Sequence, residues 1–230
     1  MNDTVLQAAA LILPLIFAIV FHEVAHGMMA RHFGDHTAER QGRLSLNPFK
    51  HVDPIGTVVL PGILALAHMP VFGWAKPVPV DSRQLRHPRR DMMLVGAAGP
   101  GSNLIMAAIA GIALGWLMAP YAGRQLPTGV PGFLALMLAQ FVSINVFLAL
   151  FNLLPIPPFD GSHIVEGLLP EPLARGYAKF RSVGMLIPIF LLIVLPSILP
   201  GFDALRYIYR PVSMTITTLC PECAPILQAN

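Results

Sequence analysis

Charged side chains are scarce in this chain of 230 residues, in which 12% of the residues are charged and 55% are hydrophobic. A soluble domain carries about 25% charged residues. Together with a mean hydropathy of +0.65, this composition excludes an ordinary soluble globule. The length allows roughly four to six membrane-spanning helices with short loops. We therefore predict an all-α polytopic membrane protein that lies in a lipid bilayer.

The chain also lacks a basic stripe interleaved with aromatic residues, although its formal net charge is +3. Nucleic-acid binding needs such a stripe or a basic arm, so no nucleic-acid partner is expected. The basic residues cluster in loops, where they indicate topology. Arg31, Arg40, Arg43 and Lys50 follow the first apolar run. By the positive-inside rule, the end of that run faces the cytoplasm and the N-terminus lies outside. The N-terminus has no basic segment of the kind that opens a cleavable signal peptide.

Cysteine is almost absent, with only Cys220 and Cys223 in a Cys-Pro-Glu-Cys sequence. A single Cys-x-x-Cys pair without a second pair does not complete a four-cysteine zinc site. Reduced thiols in a tail and a local disulfide both fit this pattern.

Proline and glycine are plentiful, with 23 and 19 residues, and they indicate broken or re-entrant helices. In residues 40–53, turn residues around alternating leucines favour a short membrane-associated β-hairpin, with an ordinary loop as the alternative. Residues 55–69 are apolar but short for a span. They either cross the membrane or dip in and return.

The pattern His22-Glu23-Val24-Ala25-His26 ends an apolar run, Thr4 to Phe21, that carries no formal charge. On a helix, residues four apart share a face, so the two imidazoles can bind one zinc ion while Glu23 reaches a metal-bound water. A pair of interfacial histidines with a snorkelling glutamate is the simpler alternative. A carboxylate at membrane depth is costly and points to function.

A catalytic zinc takes three protein ligands, and Asp160 is the preferred third. It follows a proline-rich stretch, Pro155 to Pro158, at the end of a predicted span, and Gly161 lets the chain turn. An N-cap of the following helix is the alternative role for this aspartate. Other acids are predicted on the same side of the membrane: Asp35, Asp53, Asp81 and Asp91.

Three asparagines lie in predicted spans and need polar partners there. Asn103 follows a cluster of small residues beginning at Gly96 and is either a helix–helix hydrogen-bonding residue or a site residue. Asn145 and Asn152 share one face of a later span, where hydrogen bonds between helices are the simplest role.

These motifs resemble the three signatures of the site-2 protease family of intramembrane zinc metalloproteases, in family order. They are His22-Glu23-Val-Ala-His26, Asn103 after Gly99-Pro100, and Asn152-x-x-Pro155-x-x-x-x-Asp160-Gly161; the stretch Gly73 to Pro79 also resembles compact bacterial members. The resemblance implies one zinc per chain on His22, His26 and Asp160, with Glu23 as general acid/base. It also implies that Asn152 and Asn103 contact substrate or the oxyanion. No PDZ or CBS domain is recognisable.

We accordingly divide the chain into a metalloprotease core, residues 1–169, and a C-terminal helix and tail, residues 170–230. The expected activity is hydrolysis of peptide bonds in or near transmembrane helices, at the cytoplasmic side of the cell membrane. Two other functions fit parts of the pattern: a membrane metal transporter, and a catalytically silent scaffold that binds transmembrane helices. The sequence leaves the substrate and the oligomeric state open.

Overall fold

A computed structural model describes residues 3–59, 75–121 and 127–182, together with 63, 66, 184, 190, 195–198 and 214. This part of the chain is helical and contains no strand. The α-helices are α1 (Asp3–His32), α2 (Thr37–Arg40), α3 (Pro88–Met118), α4 (Gly129–Asn152), α5 (Asp160–Leu168), α6 (Glu171–Ala178) and α7 (Leu195–Ile198). Short 3-10 helices lie at Pro48–His51, Ser82–Gln84, Ala119–Tyr121 and Lys179–Ser182, and Pro54–Val59 is π-helical.

Three helices are long and apolar enough to cross a bilayer, as the hydropathy pattern predicts. The candidate spans are Ala9–His32, Pro88–Tyr121 and Gly129–Asn152, with mean hydropathies of 1.9, 1.8 and 2.2. Each exceeds the roughly 20 residues that a spanning helix needs. The predicted count of four to six spans is not confirmed, since the described residues supply three.

Helix α3 is the centre of the bundle and packs against α1, α4 and α5, while α1 also packs against α4. Small side chains allow the close approach of α3 and α4. Their interface is a buried cluster of Ala107, Ala110, Leu114 and Met118 from α3 with Ala135, Ala139, Val142 and Val146 from α4.

The start of α3 is fixed by local capping. Pro88 occupies the first turn, where its missing N–H costs nothing. The backbone N–H of His87 donates to the buried Asp91 carboxylate at 2.7 Å. This contact satisfies an amide just outside the helix, as in a capping box.

The β-hairpin predicted for residues 40–53 is not confirmed. This stretch forms a turn after α2 and then the 3-10 helix Pro48–His51. Asn47 caps that helix by accepting from the Phe49 N–H at 3.1 Å. The alternating leucines that favoured a strand are outweighed by the Asn-Pro cap, because proline at the first helical turn favours helical φ.

Several predictions fall wholly or mainly outside the described residues. Residues 55–69 are described only over Pro54–Val59 and at positions 63 and 66, so their crossing or re-entry stays a prediction. The last predicted span is described only at positions 184, 190 and 195–198, and Cys220 and Cys223 lie outside the described residues. The division of the chain at residue 169 stays a prediction.

The segment of residues 75–81, called here the 75–81 segment, has no helix or strand and lies across the end of α1. Its Lys76 N–H donates to His51 O at 2.9 Å. Arg43, which is buried, donates from Nη2 to Lys76 O at 2.7 Å. At the other end, Asp81 N–H donates to the fully buried Asp35 carboxylate at 2.7 Å. Side chains from earlier elements thus hold this backbone beside the helix that carries the His-Glu-x-x-His motif.

Candidate metal centre

The two histidines of α1 and Asp160 of α5 meet inside the bundle. The Nε2 atoms of His22 and His26 lie 3.0 Å apart. Asp160 Oδ2 is 3.1 Å from His22 Nε2 and 3.2 Å from His26 Nε2. Both histidines are buried. The three residues thus form a group whose ligand atoms are close enough to bind one metal ion.

Asp160 reaches this position because α5 approaches both α3 and the end of α4 closely. A Cβ at Gly161 would clash with Leu153 O and would lie 2.5 Å from Leu154 O. A Cβ at Gly96 would lie 3.1 Å from Asp160 O. Phe159 occupies the N-cap position of α5, and Asp160 is the first residue of the helix. The N-cap alternative is therefore wrong, because the carboxylate faces the two imidazoles instead.

When the imidazoles are neutral, the hydrogen bonds behind them place both protons on Nδ1 and leave both Nε2 atoms as acceptors. His26 Nδ1 lies 2.7 Å from Val95 O, and a carbonyl oxygen can only accept, so Nδ1–H donates. His22 Nδ1 lies 2.6 Å from Asn103 Oδ1, which likewise only accepts. In a neutral imidazole with Nδ1 protonated, Nε2 is an acceptor.

Three acceptors therefore converge with no donor among them. Among the residues that the structure describes, the buried Asp160 Oδ2 has no hydrogen-bond partner, which is costly for a carboxylate. Ligand atoms around tetrahedral zinc stand about 3.3 Å apart when the bonds are 2.0–2.1 Å. The observed separations of 3.0 to 3.2 Å are close to that value. The donor set and its spacing fit a zinc ion.

Gly99 of α3 supplies the space beside the imidazoles. A Cβ at this position would clash with His26 Nε2 and would lie 2.7 Å from His22 Cε1. Ordinary carbon contacts are about 3.5–4.0 Å. The cluster of small residues that begins at Gly96 thus borders the metal-binding group.

Glu23 lies one position beyond His22 and is half-buried. Its Oε2 accepts a hydrogen bond from the Val78 N–H at 2.7 Å. Its Oε1 forms no hydrogen bond within the part of the chain that the structure describes. One oxygen therefore orients the carboxylate and the other stays available.

The two other candidate site residues have different surroundings. Asn103 is fully buried; its Oδ1 accepts from His22 and its Nδ2 donates to Asn145 Oδ1 at 2.8 Å. Asn152 is half-buried near the end of α4 and donates from Nδ2 to Leu148 O of its own helix at 3.0 Å.

The other acids considered from the sequence do not join the metal-binding group. Asp35 accepts from Thr37 N and Asp81 N, and Asp53 accepts from Ile55 N and Gly56 N. Asp91 caps α3 and Asp81 pairs with Arg83.

Three groups next to the site were not predicted from the sequence: Val95 O, Val78 N–H and the partnership of Asn103 with Asn145. The first two are backbone groups, which no residue type marks. Asn145 carried a signal, because an amide in an apolar span needs a partner, but only the packing of α3 on α4 identifies which partner.

The helices and the convergent acceptors define a metal site embedded in a bundle of candidate membrane spans. Residues 128–195 match the sequence profile of Peptidase family M50. Over 212 residues, 88% of this chain and 91% of the relative, the chain is 38% identical to "Putative zinc metalloprotease YwhC" of Bacillus subtilis. It is 31% identical to "Putative zinc metalloprotease Rip2" of Mycolicibacterium smegmatis, over 84% of this chain and 69% of the relative. The protein of the same name in Mycobacterium tuberculosis (strain H37Rv) is 31% identical, over 78% and 63%. No solved structure matches the chain.

The chain belongs to peptidase family M50, the site-2 protease family. It is a zinc metalloprotease with apolar helices long enough to span a membrane. The resemblance noted in the sequence is thereby confirmed.

Proposed function

We propose that this protein hydrolyses peptide bonds in or near the transmembrane helices of other membrane proteins. The observation that carries the proposal is the depth of the acceptor group. His22 lies ten residues before the end of α1, which is about 15 Å along the helix. Both imidazoles are buried between α1 and the first half of α3, and all three long helices are candidate spans. A site at this depth meets substrate within the bilayer.

His22, His26 and Asp160 are the proposed ligands of one zinc ion per chain. Bound zinc supplies Lewis-acid activation of a water molecule and of the scissile carbonyl. The three side chains hold it in a buried place with little competing water, where electrostatic interactions are stronger than at the surface.

Glu23 is the proposed general acid/base. Its Oε1 would take a proton from the attacking water and later pass it to the leaving amine. The Val78 N–H holds Oε2, so the carboxylate keeps one orientation through both transfers.

The two asparagines receive different roles. Both ends of the Asn103 carboxamide are bonded inside the bundle, which supports a role in holding His22 and leaves no donor for an oxyanion. Asn152 is the proposed substrate or oxyanion contact, because its side chain is half-buried and bonds only its own helix. It would have to release Leu148 O to donate to substrate.

A substrate helix must unwind before cleavage, because its carbonyls are hydrogen-bonded within the helix. The 75–81 segment supports this role for the enzyme by its position. Its Val78 amide is bonded to Glu23, so the segment borders the place that an unwound peptide must reach. By the positive-inside rule, this end of the bundle lies at the cytoplasmic side of the cell membrane.

A metal transporter would need further ligands along a path across the membrane. Within the described residues, His22, His26 and Asp160 are the one such group. Membership of a peptidase family also favours hydrolysis over transport or a silent scaffold.

The test measures zinc content and cleavage on the same purified samples. In detergent, wild type should hold one zinc per chain, and His22→Ala, His26→Ala and Asp160→Ala should lose it. Glu23→Gln should keep zinc. Cleavage is then followed in proteoliposomes with labelled single-spanning helices that carry a central Asn-Pro or Gly-Gly break.

Wild type should cleave at least one of these helices, and Glu23→Gln should be at least 100-fold slower, since loss of an essential acid/base usually costs about 10²–10⁴. Zinc retained in all three ligand variants would contradict the ligand assignment. Cleavage of unfolded soluble casein with no cleavage of any membrane helix would contradict the membrane substrate class.

A further inference from the structure

A series of hydrogen bonds links three side chains in the core of the bundle, and the last of them is a proposed zinc ligand. Asn145 of α4 donates from Nδ2 to Phe141 O, one turn earlier, at 2.8 Å. Asn145 Oδ1 accepts from Asn103 Nδ2 at 2.8 Å. Asn103 Oδ1 in turn lies 2.6 Å from His22 Nδ1. Asn103 and Asn145 are both fully buried, so water does not substitute for these bonds.

The donor and acceptor roles in this series of hydrogen bonds follow from the bond between Asn145 and Phe141 O. Phe141 O is a backbone carbonyl and can only accept, so the Asn145 amide must turn its NH2 group toward it. Asn145 therefore presents its oxygen to Asn103. Asn103 must then present its NH2 group to Asn145 and its oxygen to His22. The Asn103 NH2 group also lies 3.5 Å from Ala18 O, another acceptor.

We propose that Asn145 is a positioning residue that fixes which ring nitrogen of His22 carries the proton, although it does not contact the metal-binding group. With the Asn103 oxygen facing it, His22 carries its proton on Nδ1 and offers the Nε2 lone pair to zinc. This inference rests on the proposed role of His22 as a zinc ligand. It gives α4 a part in the site beyond packing and beyond the Asn152 candidate.

The mechanism depends on the freedom of a carboxamide to rotate. Without Asn145, the long 3.5 Å contact with Ala18 O is what remains to hold the Asn103 NH2 group. The amide can then turn by 180° and present this group to His22 Nδ1. The imidazole then carries its proton on Nε2, where it blocks the metal. His26 has no such freedom, because its partner is the backbone carbonyl of Val95. Loss of Asn145 therefore acts on one of the two imidazoles.

The experiment uses the full-length protein and titrates Zn²⁺ against a competing chelator. Asn145→Leu keeps the branching and the number of side-chain heavy atoms and removes both hydrogen bonds. We expect zinc affinity to fall about 10–100-fold, the usual effect of removing an outer-shell partner of a ligand. The matched control is Ser143→Ala on the same helix, whose hydroxyl donates to Ala139 O. Its zinc affinity should match wild type.

A double variant separates orientation from packing. In Asn103→Asp/Asn145→Leu, residue 103 has two oxygens and no NH2 group, so rotation cannot present a donor to His22. The loss of zinc affinity caused by Asn145→Leu should therefore be at least fivefold smaller in the Asn103→Asp background than in wild type. If Asn145 only fills space, the loss would be equal in the two backgrounds, and that result would overturn the inference.

The tautomer can also be measured without metal. Solid-state NMR of 15N-histidine protein stripped of zinc, with His22→Gln for assignment, should show Nδ1–H for His22 in wild type and a loss of this form in Asn145→Leu. Nδ1–H retained in both would overturn the inference even if zinc binds as proposed. Failure of His22→Ala to reduce zinc binding would instead contradict the proposed ligand set, so the two failures are distinguishable.

Discussion

The interior of the bundle and the 75–81 segment hold the site in different ways. In the interior, His22, Asn103 and Asn145 lie on three helices and bond side chain to side chain. The 75–81 segment is held by its backbone, with amides donating to Asp35 and Glu23. The first arrangement depends on helix packing. The second depends on two carboxylates, the buried Asp35 and the half-buried Glu23.

The placement of the proposed zinc ligands and the orientation of Glu23 therefore have different structural causes. The positions of the proposed zinc ligands follow from how closely α1, α3 and α5 pack. The orientation of Glu23 follows from the Val78 amide of the 75–81 segment. His22 and Glu23 are adjacent residues of α1. The interior of the bundle contacts the first, and the 75–81 segment contacts the second. Variants in one region should change zinc binding, and variants in the other should change cleavage with zinc retained.

The largest expected effect comes from closing the space beside the imidazoles. In Gly99→Ala, the added methyl group would overlap His26 and lie 2.7 Å from His22 Cε1. The rings must move by about an ångström, and displacements of that size cost about 100-fold in function. We expect zinc affinity, measured by chelator competition, to fall at least 100-fold, and cleavage to fall with it.

Gly101→Ala is the matched control for this variant. It lies two residues further along α3, and a Cβ there meets nothing within 4 Å. Its zinc affinity should stay within about twofold of wild type, because alanine favours a helix over glycine. Equal zinc affinity in the two variants would contradict the close approach of α3 to the histidines.

A smaller effect is expected from Asp35→Asn, which loosens one end of the 75–81 segment. Asp35 accepts from the Thr37 and Asp81 amides, at 2.8 and 2.7 Å. Asparagine offers one oxygen and turns an NH2 group toward the other amide. A buried amide without an acceptor costs about 1–3 kcal/mol, so hydrogen exchange in residues 76–82 should rise about 5- to 150-fold. Zinc content should not change.

Asp53→Asn serves as the control for that variant. Asp53 also accepts two backbone amides, from Ile55 and Gly56, but both lie in its own turn. Exchange in residues 76–82 should stay as in wild type. If Asp35→Asn released zinc as strongly as Gly99→Ala, the two regions would not be separable.

The smallest expected effect concerns the titration of the Asp81 carboxyl at low pH. Arg83 hydrogen-bonds the Asp81 carboxylate and lowers its pKa from 3.8 to about 2. A lowered pKa contributes stability that is present above the unfolded value near 4 and is lost as the pH falls through about 2. The 13C shift of the Asp81 carboxyl, assigned with Asp81→Asn, should therefore titrate near pH 2 and stay flat from pH 5 to 8. In Arg83→Gln the midpoint should move up toward 4; an unchanged midpoint would exclude Arg83 as the cause.

Much of the site was predictable because its members belong to short, fixed patterns. The His-Glu-x-x-His spacing places His22 and His26 on one helical face, and the proline-rich approach to Asp160 marks the end of a span. The conformation of residues 40–53 was not predictable in the same way, and the expected hairpin is not confirmed. Alternation over a few residues is a weak signal, and the Asn47 cap with Pro48 prevailed.

The amino-acid sequence alone predicted the membrane class, the three long apolar helices and the candidate zinc ligands, because composition and helical periodicity act locally. Tertiary packing was needed to identify which acid of several reaches the histidines, what holds Glu23, and that Asn145 bonds Asn103. Those choices depend on the close packing of α3 with α1, α4 and α5, which brings together atoms as many as 138 positions apart in the chain, from His22 to Asp160. Backbone groups such as Val95 O and Val78 N–H take part in these contacts, and their residue types do not reveal them.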